Sequence, residues 1–158
     1  MKKLFNLFLM MAIATTISLT SCKTDGCTDP TATNYDDKAD NDDGSCTFER
    51  DLFLGTYNNI IETCSGIDPS SPYSITISAS STNTVTVNIS NFGNASVTVN
   101  GTVSGTSLSI PSQTFTDSFG TFTLAGNGST NSTGTTLTMT YSYVQDGVTS
   151  SCSFTASK

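Results

Sequence analysis

The side chains able to do chemistry in this chain of 158 residues are few and unevenly placed. There is no histidine, which excludes Ser-His-Asp and Cys-His catalysis and every His-containing metal site together. Five cysteines occur, at Cys22, Cys27, Cys46, Cys64 and Cys152, and an odd count hints at a free thiol or an intermolecular bridge. Between Cys27 and Cys46 crowd Asp29, Asp36, Asp37, Asp40, Asp42 and Asp43. Clustered carboxylate oxygens suit a hard cation, so calcium is the one cofactor this inventory suggests, and none is required. The spacing departs from an EF-hand loop. With Gly44 in the sixth place, Ala39 stands first and Arg50 twelfth, where carboxylates are needed. Dense aspartate also serves simply as a solvated, self-repelling face. Beyond Arg50 the acids are Asp51, Glu62, Asp68, Asp117 and Asp146, and no two are spaced as a general acid and base, which points away from an enzyme.

The elements that must hold these groups begin with a leader. Met1 to Lys3 is basic, Leu4 to Leu19 is mainly apolar, and small residues precede Cys22, the layout of a secretory signal rather than of a membrane-spanning helix. Leu19-Thr20-Ser21-Cys22 resembles the bacterial lipobox. The resemblance implies cleavage after residue 21 and acylation of Cys22 by diacylglycerol and palmitate-type chains, each buried methylene contributing roughly 0.8 kcal/mol to anchoring. Lys23 stands where related lipoproteins retained at the inner membrane have Asp, so the outer membrane is implied, with its periplasmic and external faces both open. Acylation of Cys22 also leaves an even number of cysteines. Losing Lys2 and Lys3 with the leader takes the formal charge from -7 to -9 and leaves only Lys23, Lys38, Arg50 and Lys158, which excludes a phosphate-binding surface and hence nucleic acid as a partner.

Residues 22–50 form the lipidated start and an acidic module. Cys27-Thr28-Asp29-Pro30-Thr31-Ala32-Thr33-Asn34-Tyr35, followed by Asp42-Asp43-Gly44-Ser45-Cys46, resembles a short module of secreted and surface proteins of Gram-negative bacteria, with the pattern C-T-D-P-x-A-x-N-Y, a spacer, then D-D-G-S-C. The resemblance implies a Cys27–Cys46 bridge, formed in an oxidising compartment and contributing roughly 3 kcal/mol through loop closure. The module then acts as a spacer between membrane and cargo.

Residues 51–158 change character. Ser and Thr make up 42 of these 108 residues, and apolar side chains alternate with them. Ile75, Ile77 and Ala79 share one parity, as do Val85, Val87 and Ile89, then Val97 and Val99, Leu108 and Ile110, Phe122 and Leu124, and Leu137, Met139, Tyr141 and Tyr143. This is the period of half-buried strands. Turns are expected at 68–72, 81–83, 92–94, 104–106, 131–134 and Asp146-Gly147, the last a two-residue hairpin signal. With Gln145 opposite Val148, Tyr141 meets Cys152, Met139 meets Phe154 and Leu137 meets Ala156. The 81–83 turn likewise sets Ala79 opposite Val85 and Ile77 opposite Val87, and Asn100-Gly101 suggests a bulge or kink.

About eight strands in sequence predict an all-β domain, an antiparallel up-and-down barrel with a β-sandwich as the alternative. Cys64, after the first strand, and Cys152, on the last, are then expected to staple the two ends of the sheet, which favours the barrel. Phe53-Leu54-Gly55-Thr56-Tyr57 resembles the opening of lipocalin-like domains, with Tyr57 in place of the usual Trp and no Arg from a later strand to pair with it. That resemblance implies a barrel plugged at one end and able to hold a small apolar ligand. Phe115, Phe119, Phe122, Tyr141, Tyr143 and Phe154 are the aromatics that can line such a cavity or fill a core, and Tyr57, Phe122, Met139, Tyr141 and Phe154 are the candidate ligand contacts. The expected function is a non-enzymatic, outer-membrane-anchored binding module. The alternative is a structural or adhesive surface protein with a solid β core.

Overall fold

A computed structural model describes residues 23–66, 70–117 and 120–158. The leader, Cys22, Asp68-Pro69 with the start of their turn, and Phe119 lie outside the described residues. The acidic module holds a parallel pair of two-residue strands, β1 (Asp25–Gly26) and β2 (Asn41–Asp42). A 3-10 turn over Glu49–Leu52 leads into β3 (Gly55–Ile60), β4 (Thr63–Cys64), β5 (Tyr73–Ala79), β6 (Thr86–Phe92), β7 (Val97–Ser104), β8 (Ser107–Asp117), β9 (Gly120–Thr130), β10 (Thr136–Gln145) and β11 (Val148–Ser157). Strands β5 to β11 form an antiparallel meander, β3 pairs with both β5 and β11, and β10 pairs with β11. The result is a closed eight-stranded barrel with β4 as an extra strand on β11.

Closure removes the exposed edges that would otherwise invite pairing with other chains. Alternation puts Tyr57, Ile75, Ile77, Val87, Ile89, Val99, Leu108, Leu137 and Met139 inside, each almost completely buried. The interior is narrow, and glycine makes room for its larger side chains. Gly128 and Gly126 on β9 face Met139 and Tyr141 on β10. A Cβ at Gly126 would lie 2.6 Å from the Thr140 carbonyl oxygen, and one at Gly101 would lie 2.6 Å from Leu108 Cδ1.

The β10–β11 hairpin has the expected register throughout, with Gln145 opposite Val148 and Tyr141 opposite Cys152. Asp146 and Gly147 take φ of 50° and 77°, the left-handed pair that matches the twist of the strands they join. Two local expectations are corrected. In the β5–β6 hairpin Ala79 pairs with Val87 and Ile77 with Ile89, a slip of two residues that keeps Ile77, Val87 and Ile89 inside but leaves Ala79 and Val85, expected to face each other in the core, exposed. The loop is wider because Asn83 Oδ1 accepts hydrogen bonds from the backbone of Val85 (3.0 Å) and Thr86 (2.8 Å). Arg50 Nη1, reaching in from the 3-10 turn, donates to the carbonyls of Ser80, Asn83 and Thr86. Asn100-Gly101 is regular strand, paired with Asn88 and Val87, and the missing side chain serves the approach of Leu108. Ladders are irregular instead between Tyr57 and Ile60, between Ser90 and Phe92, and between Ile110 and Gln113, the last around Pro111, which has no N–H to donate. There the Gln113 amide stands in for a strand, accepting from Asn100 N–H (2.9 Å) and donating to its carbonyl (2.8 Å).

The acidic module is not a free bead. The Cys27–Cys46 bridge is formed, and Asn34 stitches the module through Ser45 O (2.7 Å) and Thr47 N–H (2.8 Å). Its connection to the barrel docks on one end. Glu49 Oε2 accepts from Gly105 N–H at 2.6 Å in the β7–β8 turn, Arg50 holds the β5–β6 loop, and Gly134 of the β9–β10 turn packs on the Leu52 backbone. Phe53 and Tyr57, both fully buried, plug that end. Tyr57 donates to Phe53 O (3.1 Å), and Lys158 lies over its ring at 5.5 Å while donating to the carbonyls of Leu52 (2.9 Å) and Leu54 (2.6 Å). A lysine that follows the last strand thus supplies the cation over the plug residue that the chain lacks as arginine.

Candidate ligand site at the barrel mouth

At the opposite end the segment between β3 and β5, the β6–β7 turn and the upper parts of β9 and β10 surround a cavity of about 300 Å3. Its walls include Phe92, Ala95, Phe122, Leu124, Tyr141 and Tyr143, with Glu62, Cys64, Ser70 and Gln145 as the polar or polarisable groups. The β6–β7 turn can fold back over the mouth because Asn91, Gly93, Asn94 and Ser96 all adopt positive φ. Gly93 is needed there for space as well, since a Cβ would sit 3.1 Å from the Tyr141 hydroxyl. Phe92 packs edge-on against Tyr141 with ring centroids 4.8 Å apart.

Glu62 is the unexpected member. It is only 8 % exposed, yet it lies between two strands of an apolar barrel. Its backbone is pinned by Ser70, which accepts from Glu62 N–H (3.0 Å) and donates to Glu62 O (3.2 Å). Tyr73 Oη donates to Glu62 Oε2 at 2.8 Å, and Tyr141 Oη donates to the same oxygen. Burial, and then the hydrogen bond to and negative charge of Glu62, push both phenols well above the ordinary tyrosine range. At the plug, burial raises Tyr57 from 10.0 to about 12.

A phenol is neutral when protonated, so a raised folded-state pKa stabilises the protein fully below the unfolded value of 10.0, and this contribution is lost as pH rises through the folded value of about 12. The barrel is therefore expected to lose stability above pH 10, with Tyr57, Tyr73 and Tyr141 ionising only as it unfolds. An ultraviolet tyrosinate titration run beside circular dichroism checks this. Reversible ionisation of all five tyrosines with the β signal intact would contradict it.

Cys64, bridged to Cys152, lines the site, and its Sγ lies 3.7 Å from Glu62 Oε1. A disulfide sulfur carries no proton, so this contact is not a hydrogen bond. For the same reason Glu62, Cys64 and Cys152, although gathered together, do not make a metal site, because neither sulfur is available as a thiolate. The six aspartates between Cys27 and Cys46 behave differently. Asp29, Asp36, Asp42 and Asp43 each accept from a backbone N–H two residues on, at 2.8 to 3.0 Å. Hydrogen bonds from Thr31 to Asp29 and from Ser45 to Asp43 hold those carboxyls below the usual range. Among the described residues, no three acids of this group, which also includes Asp37 and Asp40, gather within mutual ligating distance.

Of the side chains proposed from sequence as ligand contacts, Phe122 and Tyr141 line the cavity, while Tyr57, Met139 and Phe154 belong to the packed interior below it. Glu62 and Tyr73 were not distinguishable by local spacing. One signal was present: Tyr141, Cys152 and Cys64 lie side by side across the sheet, so the hairpin register and the bridge together bring Glu62 next to Tyr141.

No protein-family model, curated protein or solved structure matches this chain. What the architecture defines is a small closed antiparallel β-barrel, plugged at one end and open into an aromatic recess at the other.

Proposed function

We propose that this protein is a lipoprotein of the bacterial outer membrane, anchored through Cys22, whose lipocalin-like barrel binds a small molecule with an apolar body. The observation that carries the reading is the mouth cavity of about 300 Å3, walled by Phe92, Phe122, Leu124, Tyr141 and Tyr143, a size and composition suited to a small ligand. Its position supports the same reading. Residues 23–52 approach the plugged end, so an anchor at Cys22 leaves the mouth on the far side, accessible from solvent. The alternative of an adhesive surface protein draws on the hydroxyl ladders outside the barrel, such as Thr56 with Thr76 (3.2 Å), Thr116 with Thr121 (3.0 Å) and Thr138 with Thr155 (3.3 Å).

Native mass spectrometry of the protein without residues 1–22, with and without a fluorescent apolar probe, separates the two. A stoichiometric adduct in the barrel is expected, and a bare mass with no probe uptake favours the adhesive reading. Cys22→Ala is expected to move the protein from the detergent phase to the aqueous phase. Persistence of the variant in detergent counts against acylation at that residue.

A further inference from the structure

Glu62 presents a chemical problem that an apolar ligand alone does not resolve. Burying a carboxylate is costly unless hydrogen bonds and an opposite charge compensate. Both phenolic donors are spent on Oε2, and the disulfide sulfur of Cys64, 3.7 Å from Oε1, has no proton to give. Among the described residues no counter-ion lies beside it either. The one ion pair among the described residues is Arg50 with Asp51, at the plugged end. Lys158 is committed to carbonyls at that same end. Lys23 and Lys38 belong to the acidic module, and residues 67–69 and 118–119 contain no Lys or Arg. The carboxylate also borders the cavity, beside the rings of Phe92, Phe122, Tyr141 and Tyr143.

We propose that the mouth is a receptor for small organic cations, with the ligand's ammonium group seated on Glu62 Oε1 and its apolar body against Phe92, Phe122 and Tyr143. This deepens the ligand-binding reading above and rests on it. The ammonium supplies the missing donor and the missing charge in one group. The negative faces of the surrounding rings favour it further, and the ligand leaves its water for a site already short of a cation. Tyr73 and Tyr141 act as positioning residues that fix the carboxylate, so that Oε1 is the oxygen left for the ligand.

The test uses three probes that differ in one group: 4-phenylbutylamine, 4-phenylbutan-1-ol and 4-phenylbutanoate. Each is titrated calorimetrically into the full chain in detergent, with the micelle blank subtracted. The amine is expected to bind roughly 10- to 100-fold more tightly than the alcohol, the range of a charge-assisted hydrogen bond, and the carboxylate most weakly. Glu62→Gln should erase that preference. Equal binding of amine and alcohol, or tightest binding of the carboxylate, overturns the cation assignment while leaving a ligand-binding mouth in place. Binding of none of the three overturns both. The comparison within the unmodified protein decides the matter even if Glu62→Gln does not fold.

Discussion

Replacing Cys64 and Cys152 together by alanine is expected to lower the melting temperature of the barrel by roughly 15–25 °C. The bridge spans 88 residues of sequence, and loop-closure entropy for a ring of that size is worth about 4–5 kcal/mol, which in a domain of about 100 residues translates into a shift of that order. The native structure gives a second reason for a large effect. The seam between β3 and β11 is the thinnest in the barrel, with Ser157 opposite Asn58 as its registered pair, and β4 adds Cys152 opposite Cys64 and Ser153 opposite Thr63. At the mouth, covalent linkage replaces a ladder. The Cys27–Cys46 bridge closes a separation of 19 residues in the acidic module, so its removal should leave the barrel transition nearly unmoved. Calorimetric scans of the two double variants make the comparison. Equal small shifts in both would mean that the seam holds without its staple.

Tyr57→Ala is expected to cost about 3–5 kcal/mol, the range for deleting a buried aromatic ring, whereas Tyr57→Phe should cost about 1 kcal/mol, the net worth of one hydrogen bond. The side chain is fully buried, its hydroxyl reaches Phe53 O at 3.1 Å, and Lys158 covers its ring. Truncation opens a void beneath the docking surface of the 3-10 turn, and Arg50 and Glu49 then hold their hairpins from a loosened base. Tyr57→Phe keeps the plug and also removes the Tyr57 share of the alkaline instability. Urea midpoints at unchanged slope report both values. A Tyr57→Ala variant within 1 kcal/mol of the unmodified protein would show that the plug lies outside the cooperative core.

The mouth and the plug divide the work of the barrel. Below the mouth, inward glycines at 101, 126 and 128 let large neighbours meet, so the interior is solid. Near the mouth the aromatic side chains come from the mouth-facing parts of β6, β9 and β10, where packing from above stops. A recess therefore forms at the end where Glu62 is held, and a narrow barrel can combine a packed core with a binding site.

Much of this was determined by the sequence alone. Period-two alternation, Thr on the wet face and the Asp146-Gly147 turn are local signals, and they specify an antiparallel all-β domain, barrel or sandwich, and the β10–β11 register, because each depends on neighbours a few residues away; the places of Cys64 after the first strand and Cys152 on the last then tip the choice toward the barrel. Where a distant group intervenes, the local signal fails. The β5–β6 loop slipped by two residues where Asn83 holds the backbone of Val85 and Thr86 and where Arg50, 30 to 36 residues upstream, caps its carbonyls. Asn100-Gly101 stays regular because Leu108 from the next strand fills the space its missing side chain leaves, and Lys158 took the place over Tyr57 from the far end of the chain. The site was beyond sequence for the same reason. Glu62 receives its two phenols from residues 11 and 79 positions away, and only closure of the barrel brings that carboxylate, the bridge and the aromatic wall around one cavity.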